Sequence, residues 1–310
     1  MAGSPAPAQE IRPPIVGFLS TASESRFAHL KAAFEEGLRE TDIGRNARVE
    51  YLWADDRLER LPFLATELLS HRVSVIVASG GLQSALAAQR ATSSIPVVFT
   101  GASDPVGVGL VESLGRPGRN VTGVDALTGY LDPKRLQILQ EIAPDARVFG
   151  VLLQPSRPDA DTQSSSVEAA AKALGMKLVV GSAASETEFE AAFHDMAAKG
   201  VSALLVSADP LFNSQRGRLI ALADKHRLPA IYTDREAVAA GGLVSYGASL
   251  AFAYQQAGAY AGRILGGAAP ADLPVLQPTK FELAINLRTA RVLGLTIPPT
   301  LLALADEVIE

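Results

Sequence analysis

The hexapeptide Ile95-Pro96-Val97-Val98-Phe99-Thr100 has a near copy 133 residues further on, Leu228-Pro229-Ala230-Ile231-Tyr232-Thr233. Two more pairs of segments share this spacing: 17–20 with 150–153, and 109–111 with 242–244. Chance matches between apolar segments do not keep one spacing across half of a chain. The sequence therefore predicts an internal duplication that produces two similar lobes.

Short apolar runs alternate with amphipathic segments of helical length in both halves, which is typical of βα units around a parallel sheet. The predicted strands of the first half are 15–19, 49–53, 73–78 and 95–99, and those of the second are 148–153, 177–180, 203–206, 230–232 and 243–246. The predicted fold class is α/β, with two Rossmann-like lobes whose parallel sheets are joined by a multi-strand hinge.

A predicted helix over 251–265, a strand over 281–285 and a helix over 289–293 follow after the second lobe has its strands. These surplus elements indicate that the chain crosses back toward the first lobe. We expect hinge crossings near 122–130, 245–252 and 277–287, which would let the lobes close a cleft. The lobes would comprise 14–124 and 125–250, each with part of 251–310, after a disordered leader at 1–13.

Composition excludes several classes of chemistry. The 310 residues include no cysteine, which removes disulfides, thiolate metal sites and a cysteine nucleophile. The 28 basic and 33 acidic residues give a net charge of −5 without a large block of one sign, so no nucleic-acid partner is expected. The uncharged stretch 237–262 contains glycine and glutamine pairs, and we therefore divide it into a strand and a helix rather than a membrane span.

Ligands of open parallel sheets bind beyond the carboxyl ends of the strands, where the loops of this chain are rich in small polar side chains. The candidate ligand-binding residues are Ser20, Ser23, Trp53, Ser79, Gly80, Gly81, Thr100, Asp104, Asp209, Asn213, Asp234 and Tyr246. A hydroxyl beside a helix N-terminus suits a carboxylate, an acidic residue suits an ammonium group, and an aromatic ring at a strand end can wall an apolar pocket.

Each of these features also has a purely structural interpretation. Ser79 can simply cap a helix, and Asp104 and Asp209 each precede a proline, which is the pattern of an N-cap followed by the first helical residue. Aromatic residues such as Trp53 and Tyr246 are most often ordinary core. The residues alone leave these alternatives open.

Motifs of catalysis are absent from the sequence. It contains no phosphate-binding glycine loop, no dinucleotide fingerprint and no nucleophile elbow. The four histidines are scattered on predicted helices, and none forms a metal-ligand pair. We therefore expect a binding protein rather than an enzyme, with no catalytic residue, no metal and no cofactor.

Several longer motifs resemble the substrate-binding components of ABC transporters, and in particular the tryptophan/tyrosine-type subfamily of the type I periplasmic-binding-protein superfamily. These are the runs 51–54, 95–99, 103–107, 115–123, 228–232 and 277–283, together with the tail 293–309. The motifs occur in order, and the resemblance covers about residues 14 to 310.

The resemblance implies a monomer that closes its lobes around a small ligand and delivers it to an ABC permease in the membrane. It implies an aromatic or other apolar amino acid, or a related carboxylate, as ligand. The 79–81 turn and Thr100 would bind the α-carboxylate, and Asp104, Asp209 or Asp234 the ammonium group. The expected location is periplasmic or otherwise extracytoplasmic, although no export signal is present in this chain.

Two alternatives remain at this point. A ligand-sensing regulatory domain of the same fold would need a DNA-binding module, for which the few residues before the first strand are too short. An enzyme on this fold, such as an amino-acid racemase, would need catalytic groups such as the paired cysteines that this chain lacks.

Overall fold

The computed structural model describes residues 13–25, 27–102, 104–125, 131–157, 159–278 and 281–310. The leader expected at 1–13 lies outside these residues except for its last position, as do residues 126–130 and 279–280 of the expected hinge crossings.

The first lobe contains a five-stranded parallel sheet in the order β2-β1-β3-β4-β5. Its strands are β1 Ile15–Ser20, β2 Arg48–Trp53, β3 Val75–Ser79, β4 Val97–Thr100 and β5 Val121–Val124. The helices between them are α1 Ala28–Leu38, α2 Asp42–Arg45, α3 Leu61–Ser70 and α4 Leu82–Ala91. Strands β3, β4 and β5 are buried along their whole length, because helices cover both faces of the sheet.

The second lobe repeats this arrangement and extends it. Its strands are β6 Val148–Leu153, β7 Lys177–Ser182, β8 Ala203–Val206, β9 Ala230–Tyr232, β10 Val244–Ala248, β11 Phe281–Asn286 and β12 Glu307–Ile309. Its helices are α5 Asp132–Ile142, α6 Ala160–Ala173, α7 Phe189–Ala198, α8 Pro210–Ser214, α9 Arg216–Lys225, α10 Arg235–Ala239, α12 Leu287–Leu293 and α13 Pro299–Leu304.

The run β7-β6-β8-β9-β10 has the same order as the sheet of the first lobe, and β11 and β12 are added beside β10. The predicted α/β class and the duplication are therefore confirmed. One detail differs from the expectation of parallel sheets. Strand β11 runs antiparallel to β10, so the second sheet is mixed.

The uncharged stretch 237–262 divides into β10 and the helix α11 Leu250–Leu265, as predicted. Among the described residues, no helix is both long enough and apolar enough to span a membrane. Helix α11 returns to the first lobe, where Ala253, Ala257 and Ala261 are buried in the same core cluster as Phe34 of α1.

Glycines allow α1 and α11 to approach each other at backbone distance. A Cβ atom on Gly258 would overlap the carbonyl oxygen of Phe34, and one on Gly37 would overlap that of Gln255. Small residues are therefore required on both helices at this crossing. This contact fixes α11 to the first lobe although the chain enters it from the second.

The chain then passes beside β5 before it enters β11. The backbone N–H of Asp125 donates to the carbonyl of Leu276, and Leu276 donates to Gly123. The Gln277 side chain donates to the Asp125 carboxylate at 3.4 Å. We propose that Asp125, Ser249 and Gln277 belong to the hinge between the lobes.

We expect Gly258→Ala to lower the free energy of unfolding by about 1–3 kcal/mol, because the added methyl group forces α1 and α11 apart. Gly217→Ala is the matched control, since Gly217 lies in a helix with nothing within 4 Å of the added Cβ. The control should leave stability unchanged or raise it by up to about 1 kcal/mol. Chemical denaturation measures both, and equal effects would contradict the close helix crossing.

Candidate functional site

The carboxyl ends of the two sheets face each other across a cleft between the lobes. Two contacts span this cleft directly. A Cβ atom on Gly81, which follows β3, would lie 3.2 Å from Cγ of Pro210, which follows β8. The Ser214 hydroxyl lies 3.1 Å from Oδ2 of Asp56. The lobes are therefore in contact, and the structure represents a closed conformation.

An inner cavity of about 50 Å³ lies between the lobes. One wall is apolar and comes from the first lobe and α11, with Phe27 and Tyr254 as its rings; their centroids are 6.4 Å apart. The described residues that line it are Phe27, Gly80, Gly81, Thr100, Gly101, Arg157, Ala208, Asp209, Pro210, Asn213, Leu250, Ala253 and Tyr254. The cavity thus combines aromatic surface with polar groups from both lobes.

The turn after β3 forms a polar corner of this cavity. Gly80 and Gly81 have φ angles of +80° and +109°, a region that strongly favours glycine. Helix α4 begins immediately afterwards, and the first turn of a helix leaves backbone N–H groups without partners inside the helix. This corner therefore carries the partial positive charge of a helix N-terminus.

The Tyr254 hydroxyl reaches into this polar corner. It lies 3.4 Å from Oγ of Ser79 and interacts with Thr100 and the Gly80 backbone. Burial raises the pKa of Tyr254, so the hydroxyl remains neutral. Ser79 is fully buried beneath the corner. The polar corner therefore already accommodates one oxygen atom, that of the Tyr254 hydroxyl. A carboxylate oxygen of a ligand could occupy the same position.

The second lobe contributes a buried cluster of three charges around Arg157. The guanidinium group makes two hydrogen bonds to Asp159, at 2.8 and 2.7 Å, and one to the carbonyl of Ala208 at 2.9 Å. Its Nη1 also lies 3.4 Å from Oδ2 of Asp209. One guanidinium group thus faces two carboxylates, and the cluster carries a net negative charge.

Asp209 occupies a central place in the site. Its carboxylate caps helix α8 by accepting the backbone N–H of Leu211 at 2.8 Å, as the sequence pattern allowed. Asp209 also lines the inner cavity, and burial raises its pKa although Arg157 opposes the shift. The capping and the binding interpretations of this residue are therefore compatible.

An outer cavity of about 260 Å³ adjoins the inner one, and Asp209 and Pro210 line both. Its remaining lining residues are Thr21, Asp56, Leu58, Glu59, Gln83, Gln154, Ser156, Ala184 and Leu211. This lining is mostly polar, in contrast to the aromatic wall of the inner cavity.

The structure brings half of the twelve predicted residues together at the inner cavity. Gly80, Gly81, Thr100, Asp209 and Asn213 line it, and Ser79 contacts Tyr254 directly beneath it. These residues lie at the carboxyl ends of β3 and β4 and in the segments that follow β3 and β8. The carboxyl ends of parallel strands meet at one edge of each sheet, which explains why distant loops converge here.

The other predicted residues lie outside both cavities. Ser20 is buried and accepts the Ala22 backbone N–H, and Ser23 lies at the mouth of the cleft. Trp53 packs in parallel against Tyr51, with their ring centroids 6.1 Å apart. Tyr246 packs on Phe281 in the second lobe.

The remaining two acidic candidates accept hydrogen bonds from nearby backbone N–H groups. Asp104 accepts the backbone N–H of Gly107 at 3.0 Å, within the loop after β4. Asp234 caps α10 by accepting the backbone N–H of Ala237 at 3.1 Å. Neither residue lines the inner or the outer cavity.

Several residues that line the cavities are not among the candidates from sequence, and they include Phe27, Gln83, Gln154, Arg157 and Tyr254. Gln154 and Arg157 directly follow β6, so the rule that singled out the other loops applies to them as well. Phe27 and Tyr254 gave no such signal, because Phe27 immediately precedes α1, Tyr254 lies in α11, and both reach the cleft only through the packing of these helices.

Comparisons with known proteins agree with this architecture. A family model described as ABC transporter substrate binding protein matches residues 18–309. A tyrosine-binding protein of Clostridioides difficile is 28% identical over 267 residues, which cover 86% of this chain and 75% of that protein.

Two solved structures have the same fold. One is an ABC domain from Streptococcus pneumoniae in complex with L-Trp, with 24% identity, a TM-score of 0.86 and coverage of 95% of this chain and 100% of the other. The second, a conserved domain protein from Vibrio cholerae, has 26% identity, a TM-score of 0.88 and coverage of 96% and 99%. The predicted two-lobed fold is thereby confirmed.

The Asp56–Ser214 contact links the lobes without any ligand atom. Asp55 and Asp56 both have left-handed backbones, with φ angles of 55° and 60°. The Asp56 backbone N–H donates to Thr21 at 2.8 Å, and Arg60 holds the Asp55 carboxylate at 2.7 Å. Such strained conformations persist where the surroundings hold them in place.

Ser214 has a single hydroxyl proton and two acceptors within reach. Its oxygen lies 2.9 Å from the Leu211 carbonyl in its own helix and 3.1 Å from Asp56 across the cleft. When the lobes separate, the proton can return to Leu211, so opening leaves no unpaired donor at this position. Asp56 therefore favours closure without obstructing reopening.

We expect Asp56→Gly to shift the ligand-free protein toward open conformations while leaving its unfolding free energy unchanged or higher. Glycine removes the carboxylate and adopts the left-handed backbone without strain. Because the sequence has no cysteine, single cysteines at Glu59 and Thr187, on opposite sides of the cleft, can carry a fluorophore pair. Ser214→Ala should produce the same shift, and an unchanged energy-transfer distance in both variants would contradict the contact.

Proposed function

The chain belongs to the ABC transporter substrate-binding protein family, and from this premise we propose that it binds an amino acid in its inner cavity. Proteins of this family bind small molecules and work with ABC permeases; they are extracytoplasmic and are not an enzyme family. For this chain, we propose an aromatic or other apolar amino acid, or a related carboxylate, as the cargo of an importer.

The opposite polarity of the two sides of the cavity is the observation that carries this proposal. The first lobe offers the N-terminal end of α4 and the Gly80-Gly81 turn, which favour a carboxylate. The second lobe offers Asp209 within a charge cluster that is net negative, which favours an ammonium group. An α-amino acid carries these two charges on adjacent groups.

The aromatic wall supports an apolar side chain on the ligand. Phe27, Leu250, Ala253 and Tyr254 cover one side of the cavity, and the described part of its lining contains no lysine. The similarity to a tyrosine-binding protein and to a structure in complex with L-Trp supports the same class of ligand. Sugars, by contrast, would need more hydroxyl and carboxylate partners than this wall provides.

The size of the inner cavity implies that the lobes open during binding. Its volume of about 50 Å³ is space for roughly one or two waters at about 30 Å³ each. A ligand must therefore displace the Tyr254 hydroxyl from the polar corner, or separate the lobes slightly. Both movements are compatible with a hinge made of several crossings.

The role in transport rests on the family and on this closed conformation. We propose that the protein acts as a monomer outside the cytoplasm and presents its closed form to an ABC permease. The cleft holds the ligand between surfaces of both lobes, so ligand binding and lobe closure are coupled.

The proposal predicts that aromatic amino acids raise the melting temperature of the protein. A ligand at 100 times its Kd stabilises the folded state by about 2.7 kcal/mol. Thermal shift with the twenty amino acids, followed by calorimetry on those that act, measures the effect. If no amino acid and no aromatic acid shifts the melting temperature at millimolar concentration, the proposed ligand class is wrong.

We expect Asp209→Asn to weaken binding of L-phenylalanine at least tenfold but to leave 3-phenylpropionate, which lacks the ammonium group, within about threefold. Asparagine retains the cap of α8 while removing the charge. Asp104→Asn is the control and should change neither affinity.

The affinity for L-phenylalanine should also depend on pH. Because burial raises the pKa of Asp209, acidification protonates it sooner than an exposed aspartate, and the affinity for L-phenylalanine should fall as the pH decreases. Equal losses for both ligands in the Asp209→Asn variant would show that Asp209 does not bind the ammonium group.

A further inference from the structure

We propose that the outer cavity is a second subsite that binds a peptide unit, so that the protein also takes dipeptides whose carboxyl-terminal residue is apolar. This inference rests on the proposed function, because it places the terminal residue of the dipeptide in the inner cavity. The outer subsite would hold the residue that precedes it.

The position of the outer cavity follows from the polarity of the inner one. A ligand whose carboxylate faces α4 directs its α-nitrogen toward Asp209. Asp209 and Pro210 are the residues shared by both cavities, so any extension from that nitrogen enters the outer cavity. The outer cavity has about 260 Å³, space for roughly eight waters at about 30 Å³ each. This is enough room for a further residue with a small side chain.

Gln154 provides a hydrogen-bond donor in this cavity. Its side chain is only 3% exposed, and its Oε1 accepts the backbone N–H of Ser156 at 2.5 Å. This bond fixes the orientation of the amide group, and Nε2 then donates to no acceptor in the described part of the chain. Nε2 of Gln154 is therefore a donor that an oxygen atom of a ligand or of solvent can use.

Gln83 provides an acceptor from the opposite lobe. It lies in the first turn of α4, and its Oε1 is buried without a hydrogen-bond partner among the residues that the structure describes. Gln83 and Gln154 both line the outer cavity, one from each lobe. The two side chains therefore offer one acceptor and one donor across the same space.

A peptide unit is the complement of this pair. Its carbonyl oxygen can accept from Nε2 of Gln154, while its single N–H can donate to Oε1 of Gln83 or to Asp209. Asp56 and Glu59 also line the cavity and favour the ammonium group at the start of a dipeptide. When a free amino acid is bound, both glutamine side chains can form hydrogen bonds only with solvent. A dipeptide can form hydrogen bonds with them.

The test compares calorimetric Kd values for L-phenylalanine, L-alanyl-L-phenylalanine and the reversed dipeptide L-phenylalanyl-L-alanine. We expect L-alanyl-L-phenylalanine to bind at least tenfold more tightly than L-phenylalanine. The reversed dipeptide should bind at least tenfold more weakly than L-alanyl-L-phenylalanine, because it places an alanine against the aromatic wall.

Two nearly isosteric variants test whether the outer cavity causes the difference in Kd between L-alanyl-L-phenylalanine and L-phenylalanine. Gln154→Glu keeps an acceptor for Ser156 but removes the donor, and Gln83→Met keeps the length of the side chain but removes the acceptor. Each should weaken L-alanyl-L-phenylalanine at least tenfold and change L-phenylalanine less than threefold. A melting temperature equal to that of the unmodified protein verifies folding.

The possible failures are distinguishable. If L-phenylalanine binds and the dipeptide binds no more tightly, or if the variants weaken both ligands equally, the outer cavity holds only solvent and this inference is wrong while the proposed function stands. If neither the amino acids nor the dipeptides bind, both the proposed function and the peptide subsite are overturned.

Discussion

The close contact between α1 and α11 is the constraint on which the site depends. Gly37 and Gly258 let the two helices touch at their backbones, so α11 belongs to the first lobe although it follows a strand of the second. The chain must then cross the cleft again to form β11. The same contact places Tyr254, on the first turns of α11, against Phe27 and above Ser79. The return of the chain across the cleft and the aromatic wall thus have a single structural origin.

The charges of the cleft are divided between the lobes in a way that makes closure specific. The first lobe contributes neutral donors and the positive end of α4, whereas the second contributes Arg157 with two carboxylates. Burying such a cluster is unfavourable unless its members are paired, and the bidentate contact with Asp159 satisfies the guanidinium group. Of the two carboxylates, Asp209 is the one that lines the cavity, and burial raises its pKa.

The segments at the carboxyl ends of β3, β4 and β8 could be selected from the sequence as candidates for ligand binding, because the edge of a parallel sheet at which strands end is fixed by topology. Within such segments, local chemistry could not separate Asp209 from Asp104 or Asp234. All three lie where a carboxylate can accept a nearby backbone N–H, and all three do so. Only Asp209 also borders a cavity, since Pro210 meets Gly81 across the cleft.

The sequence by itself determined the α/β class, the duplicated lobes and most strands, because apolar periodicity and the shared spacing of 133 residues record burial within each lobe. Its capping patterns were only partly correct: Asp209 caps α8, but α4 is preceded by Gly81 and not capped by Ser79, and no helix follows Asp104. The tertiary structure decided which side chains meet. Phe27, Tyr254, Arg157 and the glutamine pair converge only when helix packing and lobe closure join segments that are far apart in the chain, and no local pattern records those distances.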